Sequence, residues 1–280
     1  METLKLKDNM SQIDKLSNDG VVQRIKHSSP YHRTLVRGVD EFGQVLFEEE
    51  NQVVLGGSIF TLEKVWGVDS PLQIDTLNNI MGIATEGEPV ATKKDTFVCL
   101  FGVGYGGCGD TVKSVKDVKY YEREVFDMVP FRVTDGPLTS QEEGQYFFKK
   151  KLPNSKTAYY LKKFEKTPAI SVLWKDGPEG EDGTMVEDGV HDTQRTDPIE
   201  TFVEMHLKIT KKDVKEYFEM NGNIEEARIN SIGLFTGVLV DLGGGNFDFK
   251  QVKLFSKLNI PNEALTLRKD MDIYYRVYTS

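Results

Sequence analysis

The chain has 280 residues, a formal net charge of −9 and only two cysteines. That length suits one large all-β domain or two smaller ones, and the excess of acid argues against a dedicated nucleic-acid coat, whose footprint is basic. No run reaches the roughly 18 apolar residues of a membrane span, and Cys99 and Cys108 offer neither a disulfide framework nor a CxxC pair, so a reducing, intracellular setting is expected.

Residues 1–34 are polar and lysine-rich, with weak amphipathicity between Met10 and Leu16. They read as an extended N-terminal arm outside the core. Such an arm either stays mobile or orders against a neighbouring subunit. It also lacks the apolar centre of a signal peptide.

Residues 35–280 read as a single β-sandwich domain. Two short strands are expected around a turn at Glu41-Phe42-Gly43. In "GGSIFTLEKVWG", Ser58 can cap a short helix with Ile59, Leu62 and Val65 along one face, ended by Gly67. Ser70-Pro71 can open a second helix carrying Leu72, Leu77 and Ile80. "TFVCLFGV" and "VFDMVPFRV" are strand candidates, the second interrupted by Pro130 at an edge or bulge.

Between about 135 and 198 charge runs, prolines and "DGPEGEDG" predict an elaborated insertion of loop character, with "QYFFKKKL" and "AISVLW" as strands inside it. The clearest alternation follows. Val203, Met205, Leu207 and Ile209 face one way, while Phe202, Glu204, His206 and Lys208 face the other. Thr210 and Asp213 are spaced as a capping box before a short helix. "INSIGLFTGVLV", "KQVKLFSKLNI" and "DIYYRVYT" complete the strands. Many short strands between turns predict a mainly β, antiparallel sandwich with short crossover helices.

Four features bear on chemistry. Gly102-x-Gly104-x-x-Gly107 matches the dinucleotide-binding fingerprint, which requires a strand before it, a helix after it and repeated βαβ units. The strand-rich C-terminal half does not supply those units. The plainer reading is a tight turn or close packing between strands. "DLGGGNFDF" reads as a hairpin tip. His27, His32, His191 and His206 lack zinc spacing, and the acidic cluster Asp176, Glu179, Glu181 and Asp182 lacks calcium-loop spacing. No cofactor, metal or catalytic residue is expected.

The fourth feature is basic. "YFFKKKLPNSKTAYYLKKFEK" sets Lys149, Lys150, Lys151, Lys162 and Lys163 among Tyr159 and Tyr160. Three uses are open: aromatic and basic contact with nucleic acid, a strand pair with a lysine-protected edge, or contact with an acidic face such as Glu48 to Glu50 on a neighbouring copy. The protected edge is the plainest.

The order of motifs resembles a diffuse group of tailed-bacteriophage virion proteins. The matching residues are "ENQVVLGGSIFTLEKVWG", "FVCLFGVGYGG", "YEREV", Ile229 to Phe235, Leu254 to Pro261 and Asp272 to Thr279. The resemblance implies a non-enzymatic structural subunit, present in many copies in a neck, collar or tail ring. A capsid-surface decoration or fibre-attachment protein is the alternative, and a nucleotide-binding enzyme using the glycine loop a remote one. It implies as partners other copies of itself and other virion proteins, without membrane or nucleic acid, and as location a virion assembled in the host cytoplasm. Under it Asn51, Gly56, Gly57, Gly102, Gly104, Gly107 and Gly233 are structural turn or close-packing positions. Ile232, Leu234, Leu254 and Leu258 would pack two sheets together.

Overall fold

The computed structural model describes residues 34–50, 52–53, 55–66, 70, 76–83, 96–105, 128–175, 183–186, 198–222, 228–243, 246–264 and 270–279. Residues 1–33 of the expected arm, Asn51, Gly107, Cys108 and the acidic cluster lie outside them; Thr34, given to the arm, instead opens the first strand and is buried.

The strands are β1 (Thr34–Asp40), β2 (Val45–Glu50), β3 (Gln52–Val53), β4 (Thr96–Gly104), β5 (Met128–Val129), β6 (Arg132–Thr134), β7 (Tyr146–Lys151), β8 (Thr157–Lys163), β9 (Ala169–Lys175), β10 (Gly183–Val186), β11 (Pro198–Ile209), β12 (Arg228–Gly243), β13 (Asn246–Ala264) and β14 (Met271–Thr279). Among the described residues four short helices accompany them: α1 (Leu55–Trp66), α2 (Leu77–Ile80), α3 (Ser140–Glu143) and α4 (Lys215–Met220). The fold is mainly β, and every strand pair among the described residues is antiparallel.

A six-stranded sheet runs β10-β9-β11-β14-β1-β2, and an eight-stranded sheet runs β3-β13-β12-β4-β8-β6, with β5 added on β4 and β7 on β8. Both contribute to one buried cluster. Val36, Met205, Leu207, Ile273 and Tyr275 come from the first, and Phe101, Val103, Ile232, Leu234, Phe255 and Leu258 from the second. Ser256 Oγ and Tyr275 Oη, one from each sheet, lie 2.7 Å apart in a buried hydrogen bond.

Local chemistry explains the elements. Asp40 ends β1, and its Oδ1 accepts from the backbone N–H groups of Phe42 and Gln44 at 2.9 and 3.0 Å. Gly43 supplies the positive φ of 77° that this turn needs. Pro130 falls in a break between β5 and β6, where a single strand with an edge or bulge was expected. The second helix is shorter than expected: Thr76 caps it, and its Oγ1 accepts from Asn79 N–H.

Two expectations change. α1 begins at Leu55, so Gly56 and Gly57 form its first turn and do not precede it. The described parts of 135–198 hold the two strands expected there, at β7 and β9, but these strands join the two main sheets. β7 and β8 extend the eight-stranded sheet, and β9 and β10 complete one side of the other. The segment's lysine run lies on β7, whose inner half sends Tyr146 to the first core cluster and Phe147 and Phe148 to a second.

A second cluster occupies the other face of the eight-stranded sheet: Leu77, Cys99, Leu100, Phe147, Phe148, Leu161, Phe235, Phe249, Val252 and Leu254. The sheet curls enough that β7 approaches β13, where Phe147 and Phe249 meet edge to face at 4.8 Å. A bulge assists the change of face. The register against β12 shifts between Phe235 and Thr236, so that Val98 packs on the first cluster while Cys99 and Leu100 join the second. Burial pushes the Cys99 thiol up to about 12. Leu254, expected between the sheets, therefore packs on this outer face.

Candidate interaction site

The basic hairpin predicted from sequence is β7 paired with β8 on both sides of Phe148, which holds φ at 57°, with Tyr146 opposite Lys162 and Lys149 opposite Tyr159. Its lysines separate into two populations. Lys149, Lys151 and Lys163 are exposed; Lys150 is half-buried and donates to the Met81 carbonyl at 2.9 Å. Lys162 is different, with 4% of its side chain exposed against 0% for its partner Asp213. Tyr160 is likewise buried, and Tyr159 half-buried. Lys162 and Tyr160 therefore leave the expected contact surface.

Lys162 belongs to a polar hub linking the sheets. Its Nζ donates to Asp213 Oδ2 and to the Lys208 carbonyl of β11, both at 2.8 Å. Asp213 Oδ1 accepts from the Tyr146 hydroxyl at 2.7 Å, and Oδ2 accepts from the Thr210 N–H at 2.6 Å. Burial first, and then the Asp213 carboxylate, push the Tyr146 phenol far above its ordinary range. The Thr210–Asp213 spacing does form a reciprocal local turn, but α4 starts only after Val214, which holds φ at 58°. The side chain expected to cap a helix instead anchors a buried cation.

Arg132 lies beside this hub. Its guanidinium binds Glu216 of α4 through Nε and Nη2, and Glu142 of α3 through Nη1. Glu216 Oε2 also accepts from Val133 N–H at 2.8 Å. The bond from Arg132 holds the Glu142 carboxyl down to about 2. Each partner is satisfied by another, so the network fixes β6, α3 and α4 around β7.

Lys149, Lys150 and Lys151 border an open groove of ≈710 Å³ whose walls include Gly82, Gly136 and Pro137. Asp135 also lines it, and its carboxylate meets Lys156 at 3.4 Å. The groove is basic along one strand edge and small-sided opposite.

Of the two readings of the glycine motif, a tight turn or close packing between strands, Gly102 takes the second. Gly102 and Gly104 lie inside β4, whose neighbours are antiparallel, so the parallel frame of a dinucleotide site is missing there. Gly102 stands opposite Gly233 of β12. A Cβ at Gly102 would come within 2.5 Å of Met128 Cε and 3.1 Å of both Leu161 Cδ2 and Phe235 Cε2. Gly233 alternates with Ile232 and Leu234, so it faces the outer cluster and not the gap between sheets. The pair permits curling with close side-chain approach.

The outer face of β11 and β14 carries His206. Its Nε2 lies 2.6 Å from Asp272 Oδ1, and its ring stacks on Tyr274 at 4.9 Å. Arg276 Nε donates to Glu204 at 2.6 Å on the same face. These are cross-strand pairs of a half-exposed sheet surface. No group of His, Cys, Asp and Glu among the described residues is arranged to hold a metal ion.

Sequence reasoning found the basic hairpin but missed the roles of Asp213 and Arg132. Their partners are 51 and 84 residues away. Tyr146-to-Lys162 pairing across the hairpin was the available signal, because it places a lysine beside a buried tyrosine. Comparison with protein-family models, curated proteins and solved structures found no match.

Proposed function

We propose that the chain is a non-enzymatic structural component of a tailed-phage virion: a β-sandwich subunit repeated in a neck, collar or tail ring. The observation carrying this reading is where its resemblance motifs fall. Ile229 to Phe235, Leu254 to Pro261 and Asp272 to Thr279 run along β12, β13 and β14, and β14 lies between β11 and β1. Those motifs supply packing residues to both sheets, such as Ile232, Leu258 and Ile273. A shared order of motifs then reflects a shared scaffold, as a virion subunit requires. The antiparallel surroundings of Gly102 also weigh against the nucleotide-binding alternative.

Mass spectrometry and an electron-microscopy map of particles purified from infected cells test the reading. The expected result is this chain at a copy number set by a ring symmetry. Its absence from particles, or saturable binding of nicotinamide or adenine nucleotides by the purified chain, overturns it.

A further inference from the structure

We infer that two oppositely charged edge strands, β2 and the outer half of β7, dock against each other between copies of this chain. The contact joins the six-stranded sheet of one subunit to the eight-stranded sheet of the next. It rests on the multi-copy part of the reading above and on no other part of it.

β2 ends the six-stranded sheet, and β7 pairs only with β8 among the described strands. An edge strand presents backbone N–H and C=O groups that template pairing with another chain. β7 changes character along its length. Tyr146, Phe147 and Phe148 are buried, whereas Lys149-Lys150-Lys151 leaves the core to line the groove. β2 likewise passes from buried Phe47 to Glu48-Glu49-Glu50.

The charges select the partner. Pairing two β2 strands through their charged halves sets Glu against Glu, and pairing two β7 strands through theirs sets Lys against Lys. Like charges opposite one another destabilise a strand pair, and opposite charges support it. β2 against β7 is the combination that matches. The pattern therefore rejects a two-fold dimer through either edge and favours a head-to-tail contact, which closes into a ring or continues as a filament.

The neighbouring charges permit this. Asp135, the acid lining the groove, is matched by Lys156 at 3.4 Å. Lys150 is held by Met81, which leaves Lys149 and Lys151 as the outward charges. On the other strand Arg37 touches Glu48 at 3.8 Å, with both side chains about half exposed. Such a pair is weak and yields to a better-placed cation. Glu49 is exposed.

Sedimentation velocity on the purified full chain, over a wide concentration range at low and high salt, tests the contact. The wild type should self-associate, and salt should weaken that association. E48K/E49K should weaken it by about tenfold or more, as should K149E/K151E, because each sets like charges on both edges. An equimolar mixture of the two variants should associate again, since each then offers the edge that the other lacks. Self-association unchanged in both variants, or no recovery on mixing, overturns this interface while leaving the multi-copy reading standing. A wild type that stays monomeric even at low salt also overturns the interface; the copy number in particles then judges the reading separately.

Discussion

Strands β11 and β14 of the six-stranded sheet bury one face, and strands β4 and β12 at the middle of the eight-stranded sheet bury both. On β11 and β14, Met205, Leu207, Ile273 and Tyr275 enter the core, while Glu204, His206, Asp272 and Arg276 form paired contacts outside. On β4 and β12, Phe101 and Leu234 enter the shared core while Leu100 and Phe235 enter a second one. A sheet with one wet face writes its orientation into a period of two. A sheet covered on both sides reads as an apolar run whose facing no alternation discloses.

Phe235→Ala tests the second core most directly. It should cost about 3–5 kcal/mol, as for other buried aromatics. Tyr274→Ala, on the half-exposed outer face of the other sheet, should cost less than about 1 kcal/mol. Urea unfolding monitored by circular dichroism measures both. Equal costs would remove the contrast between the sheets.

Asp213→Ala should be nearly as damaging, at about 3–5 kcal/mol, because it leaves the Lys162 ammonium buried without its carboxylate. K162M/D213L should lose less than D213A alone, since no buried charge remains. If the double variant is the less stable, the hub holds the sheets together more strongly than an apolar filling would.

Gly102→Ala should cost about 1–3 kcal/mol through overpacking against Leu161 and Phe235. Gly136→Ala, where an added Cβ meets nothing within 4 Å, is the matched control. Thermal unfolding of the pair separates close packing from a general glycine effect.

The smallest effect concerns acid. Glu142 has a carboxyl held down from its ordinary 4.5 to about 2 by Arg132. Its contribution is therefore complete above about 4.5 and fades as pH falls through about 2. The side chain is partly exposed, so the change should stay below about 1 kcal/mol. E142Q should flatten that part of the stability–pH curve. A curve identical to the wild type below pH 4.5 would show that the pair is idle.

Much of the strand inventory was legible for plain reasons. Alternation set β11 and β14, and Pro130 marked the break between β5 and β6. The helix start before Gly56-Gly57 was hidden because glycine ordinarily opposes helix interiors. In 135–198 the strands at "QYFFKKKL" and "AISVLW" and the lysine-protected edge were legible, but which sheet each one joins was not, because pairing partners distant in sequence leave no local period. Of the candidate site, the lysines were visible but their division was not. Lys162 and Lys163 are adjacent and chemically identical; only the pleat sends one to Asp213 and the other to solvent. The hub draws on β7, β8, β11 and the turn before α4, and such convergence leaves no local period.

The position of β14 has a consequence for synthesis. It lies between β1 and β11, so the sheet's middle is the latest of the described strands to leave the ribosome. Until then β1 and β11 each hold an unpaired ladder, and Val36 and Leu207 lack Tyr275 and Ile273 beside them. Pairing Thr34 with Val277 spans nearly the whole described chain, which makes closure a late, long-range event. A nascent chain in that interval exposes two unpaired ladders, which opens a route to cross-pairing with another chain before either one is complete.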